Sequence, residues 1–332
     1  MGFILIGSHM ALSPSNRDDQ PFRHYSTPHR IIAWISLTLF PRLTYTVRHG
    51  LLRGMKRKGG LGWWPAFLYP QAQTPEQSFL RSLDLAGRVV YDVGAFHGLF
   101  TLVFARQARL VVCYESNAGN HARLLENLRL NQLQNVVVRK TGLGSHGHEA
   151  TMAFLPLMPG GASIEQKTVD QLVRAHRGIR TEKIHITTLD HDIADASLPP
   201  PDFIKIDIEG WEIEALRGAR NTLLAHRPAL FLEMHGETMN EKRRKVAAIV
   251  AFLNEVGYRE ILHIETAKPI TPQNSSVAAQ GHLFSPGACP LRYRGTQELK
   301  RSFCGSDNLL PLPDPTADCG GVVSNGKGDT PP

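Results

Sequence analysis

From residue 88 onward, short apolar runs alternate with stretches whose apolar positions recur every three or four residues. The runs suit buried strands and the spaced positions suit helices with one buried face. Their alternation predicts repeated βα units around a mostly parallel sheet. Arg88-Val-Val-Tyr-Asp92 reads as the first strand and residues 98–107 as its helix. Leu110-Val-Val-Cys-Tyr-Glu115 reads as the second strand, followed by a helix over 118–131 with Leu124, Leu125 and Leu128 on one face. Asn135-Val-Val-Val-Arg139 is the third strand.

Residues 142–188 break this rhythm. They are glycine-rich, with β-like pieces at Thr151–Leu155 and Lys183–Thr187, and read as a hairpin-like insertion near the active face carrying a helix around 164–175. The alternation then resumes. Asp202–Asp207, bounded by Pro199, Pro200 and Pro201, is a strand, and a helix over 212–226 presents Ile213, Leu216 and Leu223 together. Pro228–Glu233 is the next strand. The helix at 240–256 shows Val246, Ile249, Val250 and Leu253 at helical spacing, with Gly257 as its stop. Strands near 259–264 and 281–285 would close the sheet, and no internal repeat is visible.

A chain of 332 residues with 42% apolar composition can bury a full core, and one large α/β domain with extensions fits that length. Charge separates the extensions from the body. Residues 1–60 hold nine Lys or Arg against two Asp; of the totals of 37 basic and 30 acidic residues, this leaves 28 of each for the remainder. A neutral body has no electrostatic case for gripping a polyanion, and no Asn-Pro-Pro-Tyr-like base-flipping motif is present, so nucleic acid is not an expected partner.

The basic arm contains the uncharged run Ile31–Pro41, followed by Arg42, Arg48, Arg53, Lys56, Arg57 and Lys58. Spanning a bilayer takes roughly 20 apolar residues, so this run is too short. Two readings stay open for residues 31–58: a helix packed on the body with a solvated basic face, or peripheral contact with an anionic membrane. The apolar run starts late and no small-residue cleavage site follows it, so the expected location is the cytoplasm, with contact at the inner face of a membrane left open. Cys113, Cys289, Cys304 and Cys319 form no CxxC pair and read as reduced thiols. The expected organisation is a basic arm over 1–60, a domain over 61–303 with its core at about 85–265, and a disordered tail over 304–332, rich in Gly, Pro, Asp and Ser.

The candidate chemistry sits at strand ends. The turn after the first strand, Asp92-Val-Gly-Ala-Phe-His-Gly98, carries Gly94 and Gly98, where a backbone without side chains can approach a ligand. Glu115 lies 23 residues beyond Asp92 at the end of the second strand, where a carboxylate can accept hydrogen bonds from both ribose hydroxyls of an adenosine. Dinucleotide enzymes use the same geometry with GxGxxG. Here the glycines are four apart with Phe96 and His97 between them, which leaves poor room for a pyrophosphate. S-adenosylmethionine has no pyrophosphate, and Asp92 could bind its ammonium directly or through water. His97 reads as a turn residue tucked against the helix start.

A second constellation stands at Ile204-Lys-Ile-Asp-Ile-Glu-Gly-Trp-Glu212 and at Leu232-Glu-Met-His-Gly236. Side chains alternate along a strand, so Asp207 and Glu209 should share a side if the extended run continues, and Glu233 and His235 likewise. If the two strands are neighbours, three carboxylates and an imidazole converge. In order and spacing, the blocks DVGAFHG, TGLG, GGASI, TTLD, IKIDIEGWEIEALRGA and PALFLEMHG resemble those of the FkbM-type methyltransferases over about residues 85–265. One departure is Phe96, where related proteins often carry Asn.

That resemblance implies a Rossmann-like, seven-stranded class I methyltransferase sheet, mostly parallel with one antiparallel strand. It implies S-adenosylmethionine as cofactor and O-methylation of a hydroxyl on a sugar, glycan or other small metabolite. The cofactor contacts it implies are Asp92, Gly94, Ala95, Phe96, Gly98, Glu115, Asn117, Gly142 and Asp207. For catalysis, Asp207 or His235 is the candidate base, with Glu209 and Glu233 orienting the acceptor. The alternative is that Asp207, Glu209, Glu233 and His235 hold a divalent metal such as Mg²⁺ or Mn²⁺. Two other classes are weighed against an enzyme of this kind. A catalytically silent nucleotide-binding or membrane- and glycan-associated protein would keep the fold, and a nicotinamide-dependent oxidoreductase would need the dinucleotide loop that is missing.

Overall fold

The computed structural model describes residues 43–59, 74–155, 158–164, 169–170, 178–236 and 238–288. The run 31–41, the tail 304–332 and most of the helix expected around 164–175 lie outside them, as do Cys289, Cys304 and Cys319; Cys113 is free and buried. Among the described residues no helix is long and apolar enough to cross a membrane.

The chain enters through a hairpin of β1 (Thr44–Thr46) and β2 (Lys56–Lys58), followed by α1 (Pro75–Ser82). The βα units then begin with β3 (Val89–Val93), α2 (Leu99–Ala105), β4 (Leu110–Tyr114), α3 (Ala118–Leu130) and β5 (Val136–Arg139). All five residues of β3 are buried, which fits a central parallel strand covered by helices on both faces. Asn117 starts α3 by accepting a hydrogen bond from Asn120 N–H. On α3, Leu124 and Leu128 are buried one turn apart, whereas Leu125 is 45% exposed. A step of one residue turns the helix by roughly 100°, which carries Leu125 off the face it was expected to share.

The hairpin is fastened to α3. Lys56 N–H and Lys58 N–H donate to Asn131 and Asn127, each at 2.8 Å, and Lys58 Nζ pairs with Glu126. Residues 43–59 of the expected arm are therefore docked on the body, and Lys58 of its basic flank is committed there.

The insertion forms a sheet of its own with order β6-β9-β7-β8, made of β6 (Gly142–Leu143), β7 (His148–Leu155), β8 (Met158–Ser163) and β9 (Arg180–Thr187). The expected hairpin is thus the centre of a four-stranded sheet. The unexpected strand, β8, reads Met-Pro-Gly-Gly-Ala-Ser and lies at an edge, where a proline costs no ladder bond. Glu182 on β9 accepts hydrogen bonds from Asn117 Nδ2 and Ala118 N–H at 3.1 Å, which ties this sheet to the start of α3.

After α4 (Leu189–Asp195) and β10 (Phe203–Ile206), the helix expected over 212–226 is split into α5 (Glu212–Gly218) and α6 (Arg220–His226) by Ala219 at φ −103, ψ 6. The break is sealed by Asp190, whose carboxylate accepts from Asn221 N–H and Thr222 N–H at 2.8 Å and caps the new helix start. The chain ends with β11 (Ala229–Glu233), α7 (Met239–Glu255), β12 (Leu262–His263), β13 (Lys268–Pro269) and β14 (His282–Ser285). Val246, Ile249, Val250 and Leu253 of α7 all pack into the core, and Gly257 follows at φ 93.

The main sheet has the order β13-β12-β14-β11-β10-β3-β4-β5. From β5 to β11 neighbours are parallel, and β14 runs antiparallel between β11 and β12. These are the seven strands with one reversal that the resemblance implies. The two-residue β13 adds an eighth, antiparallel at the edge beside β12.

Candidate functional site

A cleft lies at the carboxyl ends of β3, β4 and β10, and the insertion sheet closes its other side through Met152, Ile184 and Ile186. Ligands of open α/β sheets bind at such strand ends. The loop after β3 is held from below, with Gly94 N–H and Ala95 N–H both donating to Tyr114 C=O at 3.1 and 3.0 Å. A Cβ on Gly94 would stand 1.8 Å from the Asp207 carbonyl, and its φ is 85, so only glycine lets the loop cross the end of β10 this closely.

Phe96 also takes a left-handed conformation, φ 51, which aims its N–H at Glu115 Oε2, 2.8 Å away. The other oxygen of Glu115 accepts from Asn117 N–H at 2.9 Å. Burial pushes the Glu115 carboxyl up to about 7, against these donors, which lower it. His97 stacks on Phe96 with ring centroids 3.8 Å apart. Burial and the neighbouring Arg57 and Arg123 push His97 down to about 3, so it stays neutral, as suits a tucked turn residue.

Of the residues expected to touch the cofactor, Gly94, Phe96, Glu115, Asn117, Gly142 and Asp207 line this cleft, and Asp92, Ala95 and Gly98 do not. Asp92 is 1% exposed. Its Oδ2 accepts from Thr101 Oγ1 at 2.5 Å, and its Oδ1 lies 4.0 Å from Lys205 Nζ. Direct contact with a ligand's ammonium, one of its two expected roles, is therefore not what this side chain is placed for; it anchors the loop from beneath. Gly98 serves packing, since a Cβ there would meet Leu124 at 2.6 Å.

The second constellation forms because β10 and β11 are parallel neighbours with Ile206 beside Leu232, so Asp207 and Glu233 leave the sheet side by side. The extended run does not continue past β10. Glu209 at φ 53 and Gly210 at φ 99 turn the chain, and this turn, not strand alternation, brings Glu209 back toward His235. Around His235 Nε2 stand Glu233 Oε1 at 3.4 Å, Asp207 Oδ1 at 3.7 Å and Glu209 Oε2 at 3.8 Å.

Two partners were not among the expected site residues. Glu212, 1% exposed, accepts from His235 Nδ1–H at 2.9 Å and from Gly210 N–H at 2.8 Å. Lys205 is fully buried, donates to Asp207 Oδ2 at 2.9 Å and lies over the Phe100 ring at 4.9 Å. A lysine inside the apolar run Phe-Ile-Lys-Ile was itself a signal, because a buried charge requires partners. Glu212 had only its place three residues after Glu209 to mark it.

Burial alone would lower Lys205, but Asp207, Asp92 and Glu76 outweigh it and raise the ammonium, so it stays charged. Burial also opposes charge on His235. The hydrogen bond to Glu212 and the nearby carboxylates of Glu233 and Glu209 override it and hold the imidazole well above the usual histidine value. An imidazolium has no lone pair for a proton, so of the two expected bases His235 is excluded in this state. Burial and the nearby Asp207, Glu233 and Glu212 push Glu209 up to about 7, with His235 opposing.

A sequence profile described as "Methyltransferase FkbM domain" matches residues 92–260. Among curated proteins, Methyltransferase 1 of Beauveria bassiana is 23% identical over 163 residues, which is 45% of this chain and 61% of that protein. The AMB antimetabolite synthetase AmbE of Pseudomonas aeruginosa is 26% identical over 200 residues, which is 51% of this chain and 9% of that protein. The chain therefore spans less than two thirds of either curated relative. Among solved structures, the methyltransferase FkbM from Methylobacillus flagellatus KT is 19% identical with a TM-score of 0.39, covering 64% of this chain and 50% of that one.

Proposed function

The chain belongs to the methyltransferase FkbM domain family, and from that premise we propose that it transfers a methyl group from S-adenosylmethionine to a hydroxyl of a sugar, glycan or other small metabolite. The observation that carries this reading is one cleft with two unlike ends, Glu115 at one and Asp207 with Glu209 at the other. S-adenosylmethionine supplies a methyl carbon on a sulfonium, which departs as a neutral thioether.

The residues present fit that cofactor. Beyond the bonds from Phe96, Asn117 and Asn120, Glu115 keeps accepting capacity on Oε2, which can take a ribose hydroxyl. Gly94 leaves the backbone bare where the tail would pass, and no room for a pyrophosphate is needed. Met152, Ile184 and Ile186 give the cleft an apolar wall.

An attacking hydroxyl must lose its proton, and a carboxylate within reach can take it. Asp207 is already bonded to Lys205, and His235 is held protonated. Glu209 lines the cleft with its side chain 43% exposed, so an acceptor hydroxyl can reach its carboxylate. We therefore assign Glu209 as the base, with Asp207 and Glu233 orienting the acceptor. Holding oxygen, methyl carbon and sulfur in line supplies much of the remaining acceleration.

The test is transfer of labelled methyl to a panel of saccharides and to cell extract, with mass spectrometry of the product. An O-methyl product supports the reading. Label found on nitrogen or carbon, or no transfer by protein that binds S-adenosylhomocysteine, overturns it.

A further inference from the structure

The polar groups at the ends of β10 and β11 are not satisfied by one another. Three carboxylate oxygens from three residues face His235 Nε2 at 3.4, 3.7 and 3.8 Å. Nitrogen-to-oxygen hydrogen bonds run at about 2.7–3.2 Å, so these contacts are long for hydrogen bonds. They are close to the separation of neighbouring ligands around one cation, roughly 3–3.5 Å for metal–ligand distances near 2.1 Å. The ligand atoms of Asp207, Glu233 and His235 all lie within 4.8 Å of one another.

The imidazole is aimed as a metal ligand is aimed. Buried Glu212 holds Nδ1–H at 2.9 Å and turns Nε2 toward the three oxygens, and a cation bound there would displace the Nε2 proton that the cation-free site holds. An independent observation comes from the far side of Glu233. There Glu76 Oε1 and His282 Nε2 are both fully buried, and neither has a hydrogen-bond partner. His282 Nε2 stands 3.8 Å from Glu76 Oε1 and 3.7 Å from Glu233 Oε2, while Glu265 holds its Nδ1 at 2.5 Å. Buried polar atoms left without partners are uncommon and costly, so Glu233, which both groups share, stands among charges that its neighbours do not fully satisfy, and the place behind it is the rival position for a cation.

We propose that the ends of β10 and β11, beside the cleft, form a divalent-cation site with Asp207, Glu233 and His235 as its protein ligands. Two carboxylates and one imidazole form a donor set suited to Mn²⁺, Fe²⁺ or Zn²⁺ more than to Mg²⁺, which favours oxygen alone. Asp207 also lines the cleft, so the cation faces the place where the acceptor oxygen must arrive, and its charge would favour the ionised hydroxyl there. Glu209, in the same cleft, remains the proton's destination. The role given to the cation rests on the hydroxyl-acceptor reading above, and its binding does not.

The experiment is titration of Mn²⁺ into the full-length, EDTA-treated chain, followed by electron paramagnetic resonance of free Mn²⁺ and by calorimetry. One Mn²⁺ per chain is expected, with affinity weakened about 100-fold in His235→Ala and about 10- to 100-fold in Glu212→Gln, whose loss only frees the ring. Retained S-adenosylhomocysteine binding by these variants shows that they fold, and Asp207→Asn is the substitute if His235→Ala does not. The proposal fails if the wild type takes up no Mn²⁺ or if both His235→Ala and Asp207→Asn bind it normally. It also fails if the site is lost in His282→Ala and kept in His235→Ala, which would move the cation behind Glu233. Mn²⁺ bound as expected without any O-methyl product would leave the site standing and sink the acceptor reading.

Discussion

The two ends of the cleft are built differently. At the Glu115 end the carboxylate is held by backbone N–H groups of Phe96 and Asn117, on a loop that itself hangs from the Tyr114 carbonyl. At the Asp207 end the order comes from side chains holding side chains, with Lys205 on Asp207, Glu212 on His235, and Glu233 between two histidines. A backbone-held group keeps its place when a neighbouring side chain changes. A group held by charges is only as well placed as its weakest partner.

This contrast can be broken by measurement. The largest effect expected is Glu209→Gln, which should lower methyl-transfer kcat by about 10²- to 10⁴-fold while S-adenosylhomocysteine affinity holds. A matched fall in affinity would mean that the two ends are not separable. Gly94→Ala comes next. It puts a Cβ 1.8 Å from the Asp207 carbonyl at φ 85, and should cost about 3 kcal/mol or more of stability in a denaturant melt. An unchanged midpoint would show that the loop can lift off β10 freely.

Glu115→Ala should weaken S-adenosylhomocysteine by roughly 2–3 kcal/mol in calorimetry, the loss of hydrogen bonds to a charged group, and should also lower stability by about 1–3 kcal/mol because Phe96 N–H and Asn117 N–H lose their acceptor. The smallest effect concerns pH. Glu115 titrates near 7, and a ribose hydroxyl donates to its ionised form, so the bound state holds fewer protons than the free state. Affinity should therefore fall as pH drops through about 7, by at most about tenfold per pH unit, and Glu115→Gln should flatten the profile. A rise in affinity at lower pH would contradict the role given to Glu115.

The same contrast explains what could be read from the sequence. The donor loop, Glu115 and the seven strands were legible because strand ends and glycine positions follow from local pattern. Asp207, Glu209, Glu233 and His235 were correctly brought together, but the reason was a left-handed turn at Glu209, which alternation along a strand cannot foresee. In the sequence Lys205 reads only as an ion-pair partner of the nearby carboxylates, which it is for Asp207, and Glu212 escaped because its work depends on His235 from another element. Asp92 was given a possible ligand contact from its strand-end position, whereas Thr101 and Lys205 enclose it from below. The split at Ala219 depends on Asp190, a residue 29 positions earlier that caps the second helix, and β8 has the composition of a turn.

The insertion sheet meets the rest of the domain through Glu182 on the start of α3, through Thr141 Oγ1 on the His185 carbonyl, and through Gly144 packed against Gly218. It nevertheless supplies the apolar wall of the cleft. A layer attached at its margins can be exchanged for another with a different lining while the loop, Glu115 and the β10–β11 corner keep their geometry. On the proposed function, in engineering terms, the choice of acceptor would be a replaceable part and the transfer of the methyl group the fixed chassis.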